Sequence, residues 1–133
     1  MGYIWPSDEQ WAYVRSQIDR EGTATMLNLL KFRDSADYSG HSQEVPCSGR
    51  EAYERYRHHA VPLIESLGGR VLFSGNSLPT IIGPADVSWD EVLLVEYPNI
   101  KTFADMASCE EYQKFAYHRT AAVEDSRLIP VCG

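Results

Sequence analysis

Between Ser48 and Arg70 the chain reads SGREAYERYRHHAVPLIESLGGR, and the start, the buried face and the end of a helix can all be read from those letters. Ser48 and Glu51 have the spacing of a capping box, in which each side chain satisfies a backbone amide that the first turn leaves without a partner. Gly68 and Gly69 stop the helix. Tyr53, Tyr56, Ala60, Leu63 and Leu67 recur at alternating steps of three and four and draw one apolar stripe. Such a stripe must lie on something, and the expectation is a sheet.

A length of 133 residues, 44% of them hydrophobic, allows one core without staples. The reading is a single domain, 1–133, in which 1–22 form an N-terminal helical extension and 23–133 the core. A net charge of −7 and a pI near 5.0 argue against nucleic acid or an anionic membrane surface as partner. No apolar run approaches the roughly 20 residues of a membrane span, and Met1 to Arg20 lacks the pattern of a signal peptide. Cys47, Cys109 and Cys132 form no CxxC pair, and their odd number fits a reducing compartment. The expected location is the cytoplasm.

Taken in order, Ser7 and Gln10 make a second capping box, followed by Trp11, Val14 and Ile18 on one edge of a short helix. TATMLNLLKFR (23–33) is too apolar for a surface helix and reads as a strand buried on both faces. Residues 34–47 are polar, without period, and read as a long loop of the kind that is functional or disordered. Arg70 to Gly83 is one bent strand or two short ones, interrupted by Gly75, Asn76 and Pro79, with an edge position or a bulge. Trp89 to Tyr97 is the clearest strand, ended by Pro98. Asn99 caps a helix through Ala107, Ser108 with Glu111 restarts it, and Ser126 to Val131 closes the chain as a strand whose Pro130 favours an edge.

Without the first helix the order is βαββαβ, an α+β arrangement of the ferredoxin-like kind with two helices on one face of an antiparallel sheet. The first and third strands carry apolar residues on both alternations, so the helix-free face needs cover. A homodimer supplies it.

The EAYERY helix start with its GGR exit, Gly75, VEYP, SCEEYQ and the tail HRTAAVEDSRLI resemble the domain of unknown function family DUF1330, within the dimeric α/β-barrel superfamily. The resemblance covers roughly residues 23 to 131. It implies the ferredoxin-like fold, the dimeric α/β barrel and a cavity between helices and sheet. It implies no reaction, since the superfamily also holds cofactor-free monooxygenases, heme-degrading enzymes and lactone isomerases.

Arg119 shares its helix face with Tyr112 and Phe115, and a buried arginine calls for an anion. Glu96 or Asp125 supplies one as an internal pair, or a substrate carboxylate does. Asn28 lies mid-strand, where its amide needs partners: a neighbouring backbone, or a ligand. Lys31 alternates to the opposite face and reads as an edge residue whose amine snorkels to water. His58 points outward with Glu54, whereas His59 and His118 lie at the margins of their stripes and are acid or base candidates. Pro62 bends the helix beside His59. Tyr53 and Tyr56 face the core and need hydroxyl partners at its rim or in a cavity. No ligand set for a metal and no phosphate or cofactor motif is present.

Three functions follow. The first is a cofactor-free enzyme, isomerase or monooxygenase-like, holding an acidic or carbonyl-bearing metabolite among Asn28, Tyr56, His118 and Arg119, with His59 and Glu96 as further candidates. The second is a non-catalytic ligand-binding module. The third is a structural dimer with a polar core satisfied from within.

Overall fold

The computed structural model describes residues 2–133. The elements run α1 (Asp8–Ser16), β1 (Ala24–Phe32), α2 (Gly49–Ser66), β2 (Arg70–Asn76), β3 (Glu91–Tyr97), α3 (Ile100–Ser108), α4 (Glu110–Gln113), α5 (Tyr117–Ala122) and β4 (Val123–Val131). All pairings are antiparallel and the sheet order is β2-β3-β1-β4. This is the ferredoxin-like α+β fold with an added first helix, and the two strands richest in apolar residues, β1 and β3, take its centre. Pro130 lies on the edge strand β4, and β2, the other edge, carries a register shift between Val71 and Phe73. Both devices suit an edge, where a lost ladder bond costs least.

One face of the sheet is covered. Met26 and Leu30 of β1 and Leu93 and Val95 of β3 join Tyr53, Ala60, Leu63 and Ile64 of α2, Ile100 and Met106 of α3, and Phe115 in one buried cluster. The capping boxes at Ser7–Gln10 and Ser48–Glu51 are both formed, and α2 runs through Pro62. Gly49 opens α2 where a Cβ would lie 2.3 Å from the Arg33 carbonyl oxygen and 2.6 Å from that of Ala122. Only glycine lets the helix approach β1 and α5 this closely. Leu67 departs from the expected stripe: it is the C-cap of α2 and 39% exposed, and Ile64 and Ala52 are buried instead.

The other face carries no helix. Register places Phe73, Leu94, Leu27 and Ile129 in one row across all four strands, followed by Gly75, Val92, Leu29 and Arg127. Lys31 is on this side, opposite Asp125 and 3.7 Å from Glu124.

Three boundaries differ from the expectation. β2 ends at Asn76, so residues 77–90 form a loop in which Leu78, Ile81 and Ile82 are almost fully exposed. β4 starts at Val123, which takes Asp125 out of a turn and into a strand. The helix restarts from Cys109, not Ser108: Ser108 still belongs to α3, while Cys109 is extended and its Sγ accepts from the Tyr112 amide at 3.4 Å.

Candidate functional site

The segment that follows α4 decides the site. Phe115, His118 and Arg119 donate their amides three residues back, to Tyr112, Phe115 and Ala116. Such bonds wind the chain at about three residues per turn, so side chains three apart eclipse. Phe115, His118 and Ala121 therefore point inward together, and all three are buried. His118 is only 6% exposed, where a continuous helix would have left it at the margin.

The 33–48 connection closes over it and is tied down. Ala36 donates to the Cys47 carbonyl, Asp37 to that of Ala121, and Arg33 to that of Ala122, each at 2.9 Å. These bonds bring the Tyr38 hydroxyl to 2.7 Å from His118 Nδ1. Burial holds the His118 imidazolium below the ordinary histidine range, against an opposing pull from Glu44, and His59 adds to the lowering. Burial also pushes the Tyr38 phenol up. Both are neutral at pH 7, and the phenol is the stronger donor, so it donates into Nδ1 and leaves the ring proton on Nε2. Beside this pair the Tyr117 hydroxyl donates to Glu44, which raises Tyr117 to about 12 and lowers Glu44. Arg55 lies 3.5 Å from the other Glu44 oxygen and donates to the Val45 carbonyl at 3.0 Å.

Two adjoining clefts open here. One, of about 470 Å³, is lined by His59, Glu111, Lys114, Phe115, Tyr117 and His118. The second, of about 610 Å³, shares His59, Tyr117 and His118 and extends towards Glu44, Glu54, Arg55 and His58. Both volumes suit a small organic ligand. All four histidines of the sequence gather here, since His41 stacks on Tyr117 at 4.1 Å. Among the described residues no group of three His, Cys, Asp or Glu is placed to hold a metal.

The family model for DUF1330, a domain of unknown function, matches residues 42–132. The chain belongs to the DUF1330 family. A crystal structure of the RPA0582 protein of unknown function from Rhodopseudomonas palustris is similar at 40% identity and a TM-score of 0.90, over 100% of this chain and 98% of that one. A structure of methylated RPA0582 gives the same identity and TM-score over 99% and 95%. A protein of unknown function from Bacteroides fragilis, described as dimeric and ferredoxin-like, is similar at 14% identity and a TM-score of 0.52, over 85% and 98%. No curated protein matches.

Within this DUF1330 chain the expected site residues separate. His59 and His118 meet in the cleft, their ring centroids 6.2 Å apart. Tyr56 lies behind it, its hydroxyl 2.9 Å from that of Tyr112 and its ring 5.9 Å from Phe115. Asn28 donates to the carbonyls of Met26 and Leu93, both at 3.3 Å. Arg119 has neither expected carboxylate: Glu96 is bound to Arg70, and Asp125 accepts from Tyr3, Ser126 and Arg127. Its guanidinium donates to the Ile4 carbonyl at 3.0 Å and faces the Ser126 hydroxyl at 3.5 Å. The reason is the winding after α4, which turns Arg119 from the Tyr112 face towards the N-terminal segment. Tyr38, Glu44, Arg55, Lys114 and Tyr117 were not foreseen; those on the 33–48 connection follow no periodic pattern. The spacing of three between Phe115, His118 and Ala121 was the available signal for His118.

Proposed function

We propose that the protein binds a small carbonyl-bearing organic molecule in the cleft between α2, α4 and α5 and moves a proton on it without a cofactor, as an isomerase does. The observation that carries this reading is the buried, neutral His118 held through Nδ1 by Tyr38, which leaves Nε2–H as a donor to a carbonyl oxygen. With Nδ1 taken by Tyr38 and the ring proton on Nε2, His118 polarises the carbonyl oxygen, and His59, which lines both clefts, is the group left to take the proton from carbon and return it. A monooxygenase-like reaction at the same residues needs dioxygen as a further substrate, whereas isomerisation needs only groups lining the cleft. A carboxylate as the main ligand group is less well matched: Lys114 is the one cation at the His59–Phe115 end, and Glu111 stands beside it.

A non-catalytic binding module is the second reading. It is favoured by the partners that Tyr117, Glu44 and Arg55 already have, which hold the cleft wall rather than reach for a substrate. We also infer a homodimer through the helix-free face, supported by the row Phe73, Leu94, Leu27 and Ile129. The free cysteines fit a reducing, cytoplasmic setting.

A thermal-shift screen with small ketones, aldehydes and lactones tests the binding claim, since a ligand at about 100 times its Kd adds about 2.7 kcal/mol to stability. The expected result is a rise in Tm for wild type that Tyr38→Phe weakens and His118→Gln abolishes. A ligand whose shift survives both substitutions contradicts the assignment.

A further inference from the structure

Residues 2–6 form a strap beside the start of β4, and side chains hold it there. Asp125 accepts from the Tyr3 amide at 2.9 Å, the Ser126 hydroxyl donates to the Tyr3 carbonyl at 2.7 Å, and Arg119 donates to the Ile4 carbonyl at 3.0 Å. The Arg127 guanidinium lies 5.0 Å from the centre of the Tyr3 ring. Ile4 packs against the core cluster, whereas Tyr3 and Trp5 on either side of it are each 68% exposed. No backbone-to-backbone hydrogen bond ties residues 2–6 to the rest of the described chain. A terminal segment held by so few contacts opens at far less cost than the core beneath it.

The strap satisfies Arg119 only in part. A guanidinium carries five N–H donors, and Arg119 spends two of them on neutral oxygens, Ile4 O and the more distant Ser126 Oγ at 3.5 Å. Among the described residues no carboxylate pairs with it: Glu96 is joined to Arg70, Asp125 to Arg127 and Glu124 to Lys31. Its charge is nevertheless felt in the interior. Burial raises the Tyr53 and Tyr56 phenols, and the Arg119 charge opposes that rise. A half-buried cation calls for an anion, and a hydrogen bond to a carboxylate is about twice as strong as one to a neutral carbonyl. One guanidinium balances one negative charge, so a monocarboxylate suits it better than a phosphate dianion. The Ile4 side chain marks what the rest of the ligand must resemble, a short branched aliphatic tail laid on the core.

We propose that Arg119 and Ser126 form a site for a short branched monocarboxylate, over which the strap closes when no ligand is bound, the Ile4 carbonyl standing in for the carboxylate and the Ile4 side chain for the tail. The site is separate from the histidine cleft, so its failure leaves the cleft reading standing. The test titrates the whole chain with isovalerate, its neutral amide isovaleramide and inorganic phosphate, following backbone amide signals by NMR. Isovalerate is expected to move Tyr3, Ile4, Arg119 and Ser126 together and to saturate, with the other two probes at least about tenfold weaker. Arg119→Gln is expected to abolish the response. Ile4→Ala removes the apolar anchor of the strap, leaves Arg119 intact, and is expected to tighten isovalerate about tenfold by raising the open fraction. Isovaleramide or phosphate binding as tightly as isovalerate overturns the carboxylate site, as does an unchanged isovalerate affinity in Arg119→Gln. An affinity in Ile4→Ala no tighter than that of the wild type overturns the covering role of the strap. Silence of these amides towards isovalerate in both wild type and Ile4→Ala overturns the whole proposal.

Discussion

On the helix-free face Phe73, Leu94, Leu27 and Ile129 cross four strands without a titratable group among them, whereas beyond the other face all four histidines gather at one cleft. The first surface is regular because a strand repeats every two residues and the register aligns like with like. The second is irregular: it needs a loop, a tightly wound turn and two helices to converge on His118. The difference teaches that the sheet builds a flat apolar surface by repetition, while the titratable side chains collect where the connections meet the helical layer.

The largest effect is expected where charge is buried under the helical layer. Glu91 is 5% exposed and bonded to Arg57, with Arg50 3.7 Å away. Glu91→Ala leaves Arg57 only the exposed Glu54, 3.6 Å away, and should cost about 3 kcal/mol, the low end for a broken buried pair, seen in urea unfolding. A loss below about 1 kcal/mol would show that this layer tolerates unpaired charge, contrary to the comparison.

Next comes the flat face. Leu27→Glu puts a charge at the centre of the apolar row and should weaken the proposed dimer by about 2 kcal/mol or more, roughly 30-fold in Kd. Light scattering should then move from about 30 kDa, twice 15.0 kDa, towards the monomer. A wild-type protein that is already monomeric at micromolar concentration breaks this side of the comparison.

How much of this contrast was legible in the sequence differs between its halves. The capping boxes at Ser7 and Ser48, the alternation of Met26, Leu30, Leu93 and Val95, and the break at Pro98 are local signals, and local signals fix strands and helices. The uncovered face followed from counting apolar residues on both alternations. A straight helix would bring Arg119 to a carboxylate, but the three-residue winding before it, which no pattern of letters marks, turns it towards Ile4. Tyr38 and Glu44 lie on a connection with no period, and only its backbone bonds to Ala121 and Cys47 place it. Cys109 took the cap expected of Ser108 because α3 runs one residue further.

A smaller effect is expected from pH. The folded His118 has a lowered pKa, so below the unfolded value of about 6.5 the unfolded chain takes up a proton that the folded protein refuses. The His118 contribution is therefore whole above about pH 6.5 and is lost as pH falls towards the folded pKa. Tm measured between pH 7.5 and 5 should drop, and the drop should be shallower in His118→Gln. Arg119→Met should have the smallest effect, on the order of 1 kcal/mol, since it removes hydrogen bonds to neutral oxygens and strands no carboxylate.

The central claim, that ligand chemistry lies in the histidine cleft and not on the sheet, is tested most directly by mapping backbone amide shifts while a small ketone is titrated into the protein. The account predicts saturable changes concentrated at His59 and from Lys114 to His118, reaching Tyr38 through its bond to His118. Changes centred instead on Leu27, Phe73, Leu94 and Ile129, with the cleft silent, would contradict it.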